Sequence, residues 1–269
     1  MSKILFIGCG KMGGALLRGV VRKFDGIIVV KPSPLAPEFQ AQPSIVWVDA
    51  PEKIVPSFQP DAVVIAIKPQ DMATALPAYA RYASAVFLSI AAGQTLYRLT
   101  NHLNNNTQAL VRAMPNLPAS IGAGITVAVA NIATTDPQRE LCDLILRAAG
   151  DVMWVDDEAL IDPVTALSGS GPAYIFALVE AMATAGEKLG LPQDLAQKLA
   201  RQTLVGSGAL LGQSEATAAD LRRAVTSPKG TTAAALEILL GGDALLNLMS
   251  QAMAAATARA KELAESAIH

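Results

Sequence analysis

Apolar and polar positions follow two regimes along this chain. Up to about residue 157, short unbroken apolar runs alternate with turn residues and helical spacing, and beyond it only helical spacing remains. The first run, Lys3 to Ile7 (KILFI), stops at Gly8-Cys9-Gly10-Lys11-Met12-Gly13. A helical pattern follows at once through Ala15, Leu16, Leu17 and Val20. Further runs predict strands at Ile27–Val30, Ile45–Val48, Asp61–Ile67, Ala85–Ile90, Gln108–Met114, Ile125–Ala130 and Asp151–Val155. The Asp61–Ile67 run (DAVVIAI) is continuous rather than alternating, as a strand covered on both faces requires. Between these runs, Pro51–Val55, Asp71–Tyr82 (with an irregularity at Pro77), Thr95–Leu103 and Pro137–Ala149 read as helices. Too little chain separates Met114 from Ile125 for a helical crossover. That strand pair is therefore expected to be antiparallel, at one edge of the sheet.

After Asp157 the pattern predicts helices at Leu160–Leu167, Pro172–Leu189, Gln193–Leu211, Ala218–Val225, Thr231–Leu239 and Asp243–Ser266. The Pro172 helix is apolar nearly all round, which predicts full burial, with a second copy of the chain as its cover. The expected fold class is α/β: a Rossmann-type, doubly wound, mostly parallel sheet over 1–157, then an all-helical domain over 158–269.

Composition sharpens this picture by exclusion. Of the 269 residues 52% are hydrophobic and 16% charged, enough to fill a large core or a core plus a subunit interface. A net charge of −2 offers no basic stripe for nucleic acid. Cys9 and Cys142 form neither a metal set nor a disulfide framework, which suits a reducing compartment. No signal-type segment is read at the start, and Glu180 interrupts the longest apolar run, so no membrane is expected and a cytoplasmic location is.

The glycine turn is the first candidate for chemistry. A GxGxxG match between a strand and a helix is the context of a dinucleotide site. Gly8 serves the tight turn, Gly10 the approach of a pyrophosphate and Gly13 the packing of the helix. The helix N-terminus supplies free N–H groups and positive potential. At the end of the second strand, Lys31 and Ser33 stand where an NAD site usually offers an acid. A cation and a hydroxyl suit a 2′-phosphate, so NADP(H) is expected, with NAD(H) as the accepted alternative; a plain solvated turn is the rival reading. Lys68 and Asn116 follow strands at their carboxyl ends, where open α/β sheets bind ligands. The segment Ser227 to Thr232 opens a helix with two threonines, which serves equally as a carboxylate site or as ordinary N-capping. His102 and His269 lack metal spacing and are expected in surface or capping roles, so no metal is expected.

Several longer segments then decide between these readings. GCGKMGGALLRG (Gly8 to Gly19), VIAIKP (Val64 to Pro69), SIAAG (Ser89 to Gly93) and RAMPN (Arg112 to Asn116) occur in order. ALSGSGPAYIF (Ala166 to Phe176) and LRRAVTSPKGTTAAALEIL (Leu221 to Leu239) follow. Together they resemble the pyrroline-5-carboxylate reductase family over essentially the full length. The resemblance implies NAD(P)H-dependent reduction of 1-pyrroline-5-carboxylate, a small-molecule substrate, to L-proline. It implies a homodimer, with a decamer of five dimers as a further assembly, and a substrate site where two subunits meet. Ser227, Gly230, Thr231 and Thr232 would surround the substrate, with Thr232 nearest the ring nitrogen. Thr232 and Lys68 are the implied catalytic residues. Gly8, Cys9, Gly10, Lys11, Met12, Gly13, Lys31, Ser33, Ala66, Lys68, Ala92 and Asn116 are the implied cofactor contacts. Two departures stand out: Lys229 replaces a family glycine in SPGG, and Asp49-Ala50 stands where the family often has Asp-Asn. The rivals are a reductase of the same two-domain style acting on a β-hydroxy acid or another cyclic imine, and a non-catalytic NADP(H)-sensing module. Lys188 and Lys198, on polar faces, do not suit the acid–base lysine of the hydroxy-acid enzymes.

Overall fold

The computed structural model describes residues 2–24 and 26–265. Eight strands form one sheet: β1 (Lys3–Ile7), β2 (Gly26–Val30), β3 (Ile45–Val48), β4 (Ala62–Ile65), β5 (Val86–Ser89), β6 (Leu110–Met114), β7 (Gly124–Ala130) and β8 (Gly150–Trp154). Their order is β3-β2-β1-β4-β5-β6-β7-β8. All neighbours are parallel except β6 and β7. The antiparallel pair is thus as expected, but it does not form the edge. β8 pairs parallel with β7 and takes that place, because the helix Asp136–Leu146 supplies the crossover.

The helices of this unit are α1 (Lys11–Val20), α2 (Pro37–Gln40), α3 (Met72–Ala75), α4 (Leu96–Leu103), α5 (Asp136–Leu146) and α6 (Ile161–Val164). Alternate residues of β1 point to opposite faces, as the strand period requires. Ile4 and Phe6 pack with Leu16, Leu17, Cys142 and Ile145, whereas Leu5 and Ile7 pack with Met72, Leu76, Tyr79 and Leu99. Both faces of the sheet are therefore covered. The Asp71–Tyr82 helix is broken more than expected: a 3₁₀ turn (Leu76–Tyr79) follows α3, because Pro77 removes a backbone donor.

The remaining helices are α7 (Gly171–Lys188), α8 (Gln193–Gln213), α9 (Ala218–Ala224), α10 (Thr231–Leu240) and α11 (Ala244–Glu265). By contacts the chain divides into two compact units, one reaching Ser170 and including residues from Ala256 onward, the other Gly171–Ala255. Within the second unit α7 lies against α8, where Ala183, Ala196 and Ala200 are buried. The expected burial of α7 is not met inside the single chain: Ile175, Phe176, Leu178 and Met182 are exposed. Among the described residues one stretch, Thr231–Glu265, is long and apolar enough to cross a membrane. Gly242 (φ 57°) and Asp243 (φ 56°) break it into α10 and α11. Ser266, the expected end of the last helix, and His269 lie outside the described residues.

Candidate functional site

The strand order reverses between β1 and β4, which opens a crevice at the carboxyl edge of the sheet. The glycine turn lies there. Gly8 adopts φ +83°, and a Cβ on it would meet the Ala66 carbonyl oxygen at 2.7 Å. A Cβ on Gly13 would meet the Ala66 Cβ at 2.8 Å, so the turn at Gly8 and the first turn of α1 at Gly13 both close on Ala66, the residue just past β4. Ala66 sets that approach, and its N–H donates to Ile7 O at 2.8 Å. Gly10, the N-cap of α1, has open space where a Cβ would stand. Lys11 is exposed at the first helical position, Met12 is half-buried, and the first turn holds no acid. A backbone free of side chains at a helix N-terminus is the geometry a pyrophosphate needs, and the residues present fit a dinucleotide.

Beside the turn, a cavity of about 430 Å³ is lined by Gly8, Val30, Pro32, Asp49, Ile67 and Tyr79 among others. Its walls are mostly apolar and its rim carries carboxylates. Asp49 is tied to Lys53 at 2.8 Å, and that hydrogen bond holds its carboxyl below the usual range. Lys31 Nζ donates to Pro34 O at 3.2 Å, while Ser33 is exposed. The Cys9 thiol is pushed up by burial, with the nearby Lys31 charge opposing the shift. It remains protonated at neutral pH.

The remaining expected cofactor contacts lie past β4, β5 and β6. Lys68 is exposed in extended backbone, and Ala92 is exposed between buried Ala91 and Gly93 (φ +71°). Asn116 is partly committed, since its Oδ1 accepts the Ile125 N–H at 3.0 Å. His102 contacts Gln94 Oε1 through its ring at 3.2 Å, and burial, then Arg98, keeps it neutral at pH 7. Among the described residues no group of acids, histidines and cysteines is placed to hold a metal.

One cluster escaped the sequence. Arg112, 4% exposed on β6, pairs with Glu158 at 2.8 Å and approaches Asp162 at 3.6 Å. The signal was the arginine itself, a cation in the apolar run LVRAM that must find a partner when buried. Nearby, the segment Thr165–Gly169 is a π-helical turn whose Gly169 is pressed on Met114, a feature no residue pattern announces.

The helical unit carries the second candidate region by itself. Gly230 caps α10, and a Cβ there would collide with Ser227 Oγ. The Gly230 N–H already donates to Ser227 O at 3.1 Å, and among the described residues the first-turn donors of Thr231, Thr232 and Ala233 have no intrahelical acceptor. Ser227 and Thr231 are exposed and Thr232 is half-buried. Lys229 sits at φ 59°, a left-handed position that explains why a glycine suits it.

A family profile described as "Pyrroline-5-carboxylate reductase dimerisation" matches residues 158–263. Another, "NADP oxidoreductase coenzyme F420-dependent", matches residues 3–93. The chain is 38% identical to a pyrroline-5-carboxylate reductase of Pseudomonas aeruginosa, covering 98% of this chain and 97% of that one. It is 33% identical to the Haemophilus influenzae enzyme over 97% of both. Among solved structures, the pyrroline-5-carboxylate reductase of Coxiella burnetii superposes with a TM-score of 0.89 at 35% identity, covering 97% of this chain and 98% of that one. The Plasmodium falciparum enzyme, solved with NADP bound, gives 0.81 at 26% identity over 98% of both. With its carboxyl-edge glycine turn, its dimerisation domain and this full-length likeness, the chain belongs to the pyrroline-5-carboxylate reductase family.

Proposed function

We propose that the protein reduces 1-pyrroline-5-carboxylate to L-proline with NADPH, and that NADH is the poorer donor. The full-length family match is the observation that carries this assignment. The N–H groups of the Gly8–Gly13 turn, with Cys9, Gly10, Lys11 and Met12 between its ends, would hold the pyrophosphate. Lys31 and Ser33 would read the 2′-phosphate, and Ala66, Lys68, Ala92 and Asn116 would flank the rest of the cofactor. The bound nicotinamide supplies a hydride.

The chain's own part is positioning and charge. A protonated cyclic imine is already an electrophile, so strong acid–base help is not required. The open N–H groups at the start of α10 suit a carboxylate, and Ser227 and Thr231 add hydroxyls to that end. Thr232 Oγ1 would hydrogen-bond the ring nitrogen, and Lys68 is assigned as the second catalytic group, an exposed cation past β4. We also infer a homodimer, its further assembly into five dimers, and a cytoplasmic location. The exposed apolar faces of α7, α10 and α11 then meet a second copy rather than a bilayer, in keeping with the dimerisation profile and the break at Gly242.

The test is NADPH oxidation with pyrroline-5-carboxylate, with L-proline quantified as product. Equal amounts of NADPH consumed and proline formed are expected. Tight NADPH binding without turnover would leave the sensing module as the better description, and turnover only with a β-hydroxy or β-keto acid would favour the other reductase class.

A further inference from the structure

We propose that Glu158 is a positioning residue for the cofactor, joining the two strand-end loops that carry Ala92 and Asn116; this rests on the cofactor assignment above. A single carboxylate oxygen makes the link. Glu158 Oε1 accepts from Arg112 Nη1 at 2.8 Å and from the backbone N–H of Leu96 at 2.9 Å. Arg112 lies on β6, four residues before Asn116, and its strand runs directly into that loop. Leu96 is the first residue of α4, immediately after the Ala91–Thr95 loop.

Three physical features make this more than a surface ion pair. Arg112 is buried, so its charge needs nearby anions, and removing Glu158 takes away the closer of its two carboxylates and leaves only the longer contact to Asp162. The Leu96 N–H is one of the orphan donors of a helix start, where a carboxylate is electrostatically favoured. The β5–α4 loop is also braced from its other side, where Arg98 Nη1 donates to Gly93 O at 3.2 Å. Glu158 therefore fixes the separation of β6 from the loop holding Ala92. Asp162, at 3.6 Å from Arg112 and without a link to α4, supplies charge but no such tie.

The test compares Glu158→Ala, Glu158→Gln and Asp162→Asn with the wild-type protein. NADPH dissociation constants come from nucleotide fluorescence, thermal midpoints from circular dichroism, and kcat from NADPH oxidation with pyrroline-5-carboxylate. Glu158→Ala is expected to weaken NADPH binding or lower kcat fivefold or more, while Asp162→Asn changes both less than twofold. Glu158→Gln keeps an acceptor for Leu96 and should recover at least half of the loss. A folded Glu158→Ala protein within twofold of wild type on both measures overturns the proposal, as does an equal loss in Asp162→Asn. If Glu158→Ala does not fold, Glu158→Asp, which keeps the charge but is one methylene too short to reach both Arg112 and Leu96, is judged instead, with a threefold effect upholding the proposal and a smaller one overturning it. Wild-type protein that binds NADPH but turns nothing over defeats the reductase assignment instead, and the NADPH affinities of the variants still judge Glu158.

Discussion

The two units of the chain solve the burial problem in different ways. In the sheet unit Phe6, Leu16, Phe87 and Leu88 are fully enclosed, and both faces of the sheet are covered by the unit's own helices. In the helical unit, among the described residues of Gly171–Ala255, only Ala183, Ala196 and Ala200 are buried. Phe176 is 53% exposed there and Leu246 62%. Covering one such large side chain fully is worth about 1.5–3 kcal/mol, so this unit leaves much of its stabilisation to be gained. The first unit encloses its apolar side chains within the chain, and the second leaves many of them exposed. Their functional turns differ in the same sense. Gly8 and Gly13 are pressed against Ala66 in the interior, whereas Ser227 and Thr231 stand open.

The contrast can be broken most severely at α7. Phe176→Arg would place a charge in the face that a second copy is inferred to cover, a cost of several kcal/mol when the charge is unpaired. Light scattering should find monomer or aggregate in place of a dimer; an unchanged dimer would mean α7 is not the covered face. Next in size is Thr232→Ala, which removes a hydroxyl from the open turn and leaves its N–H groups in place. A hydrogen bond to a charged group is worth about 1.5–3 kcal/mol, so kcat/KM should fall on the order of ten- to a hundredfold. Thr231→Ala should be milder, and the reverse ranking would shift the register of this turn by one residue.

Lys31→Ala acts on the other unit and should be smaller, because the side chain is half-exposed and already donates to Pro34 O. About 1 kcal/mol, or roughly fivefold in NADPH affinity, is expected with NADH unaffected. Equal losses for both nucleotides would show that Lys31 does not read the 2′-phosphate. The smallest effect is expected from Lys229→Gly. It relieves a left-handed lysine costing about 1–2 kcal/mol, and the greater freedom of unfolded glycine offsets about 0.5–1 kcal/mol of that. The thermal midpoint should rise by a few degrees at most, and a clear fall would mean the lysine side chain makes a stabilising contact.

How much of this was legible in the sequence follows the same division. Local signals sufficed where one segment determines its own structure. The runs at Lys3–Ile7 and Ile45–Val48 became strands with those bounds, and the GxGxxG turn formed between strand and helix. What depends on distant partners was not legible. Glu158 lies in the turn after β8 and Asp162 on α6, and nothing local says that Arg112 will be their partner. The position of β8 at the sheet edge was likewise set by a crossover helix rather than by its own residues. The apolar character of α7 was plain from its sequence, which also named a second copy as its cover, and inside the single chain its Ile175, Phe176, Leu178 and Met182 are exposed.

The central claim is a division of duties: the sheet unit holds the nucleotide and the α10 turn holds the substrate. Equilibrium titration of Lys31→Ala and Thr232→Ala, each with NADPH and with L-proline, tests it most directly. Lys31→Ala should weaken NADPH by roughly fivefold and leave proline within about twofold, and Thr232→Ala should do the opposite. Either variant weakening both ligands alike would contradict the division.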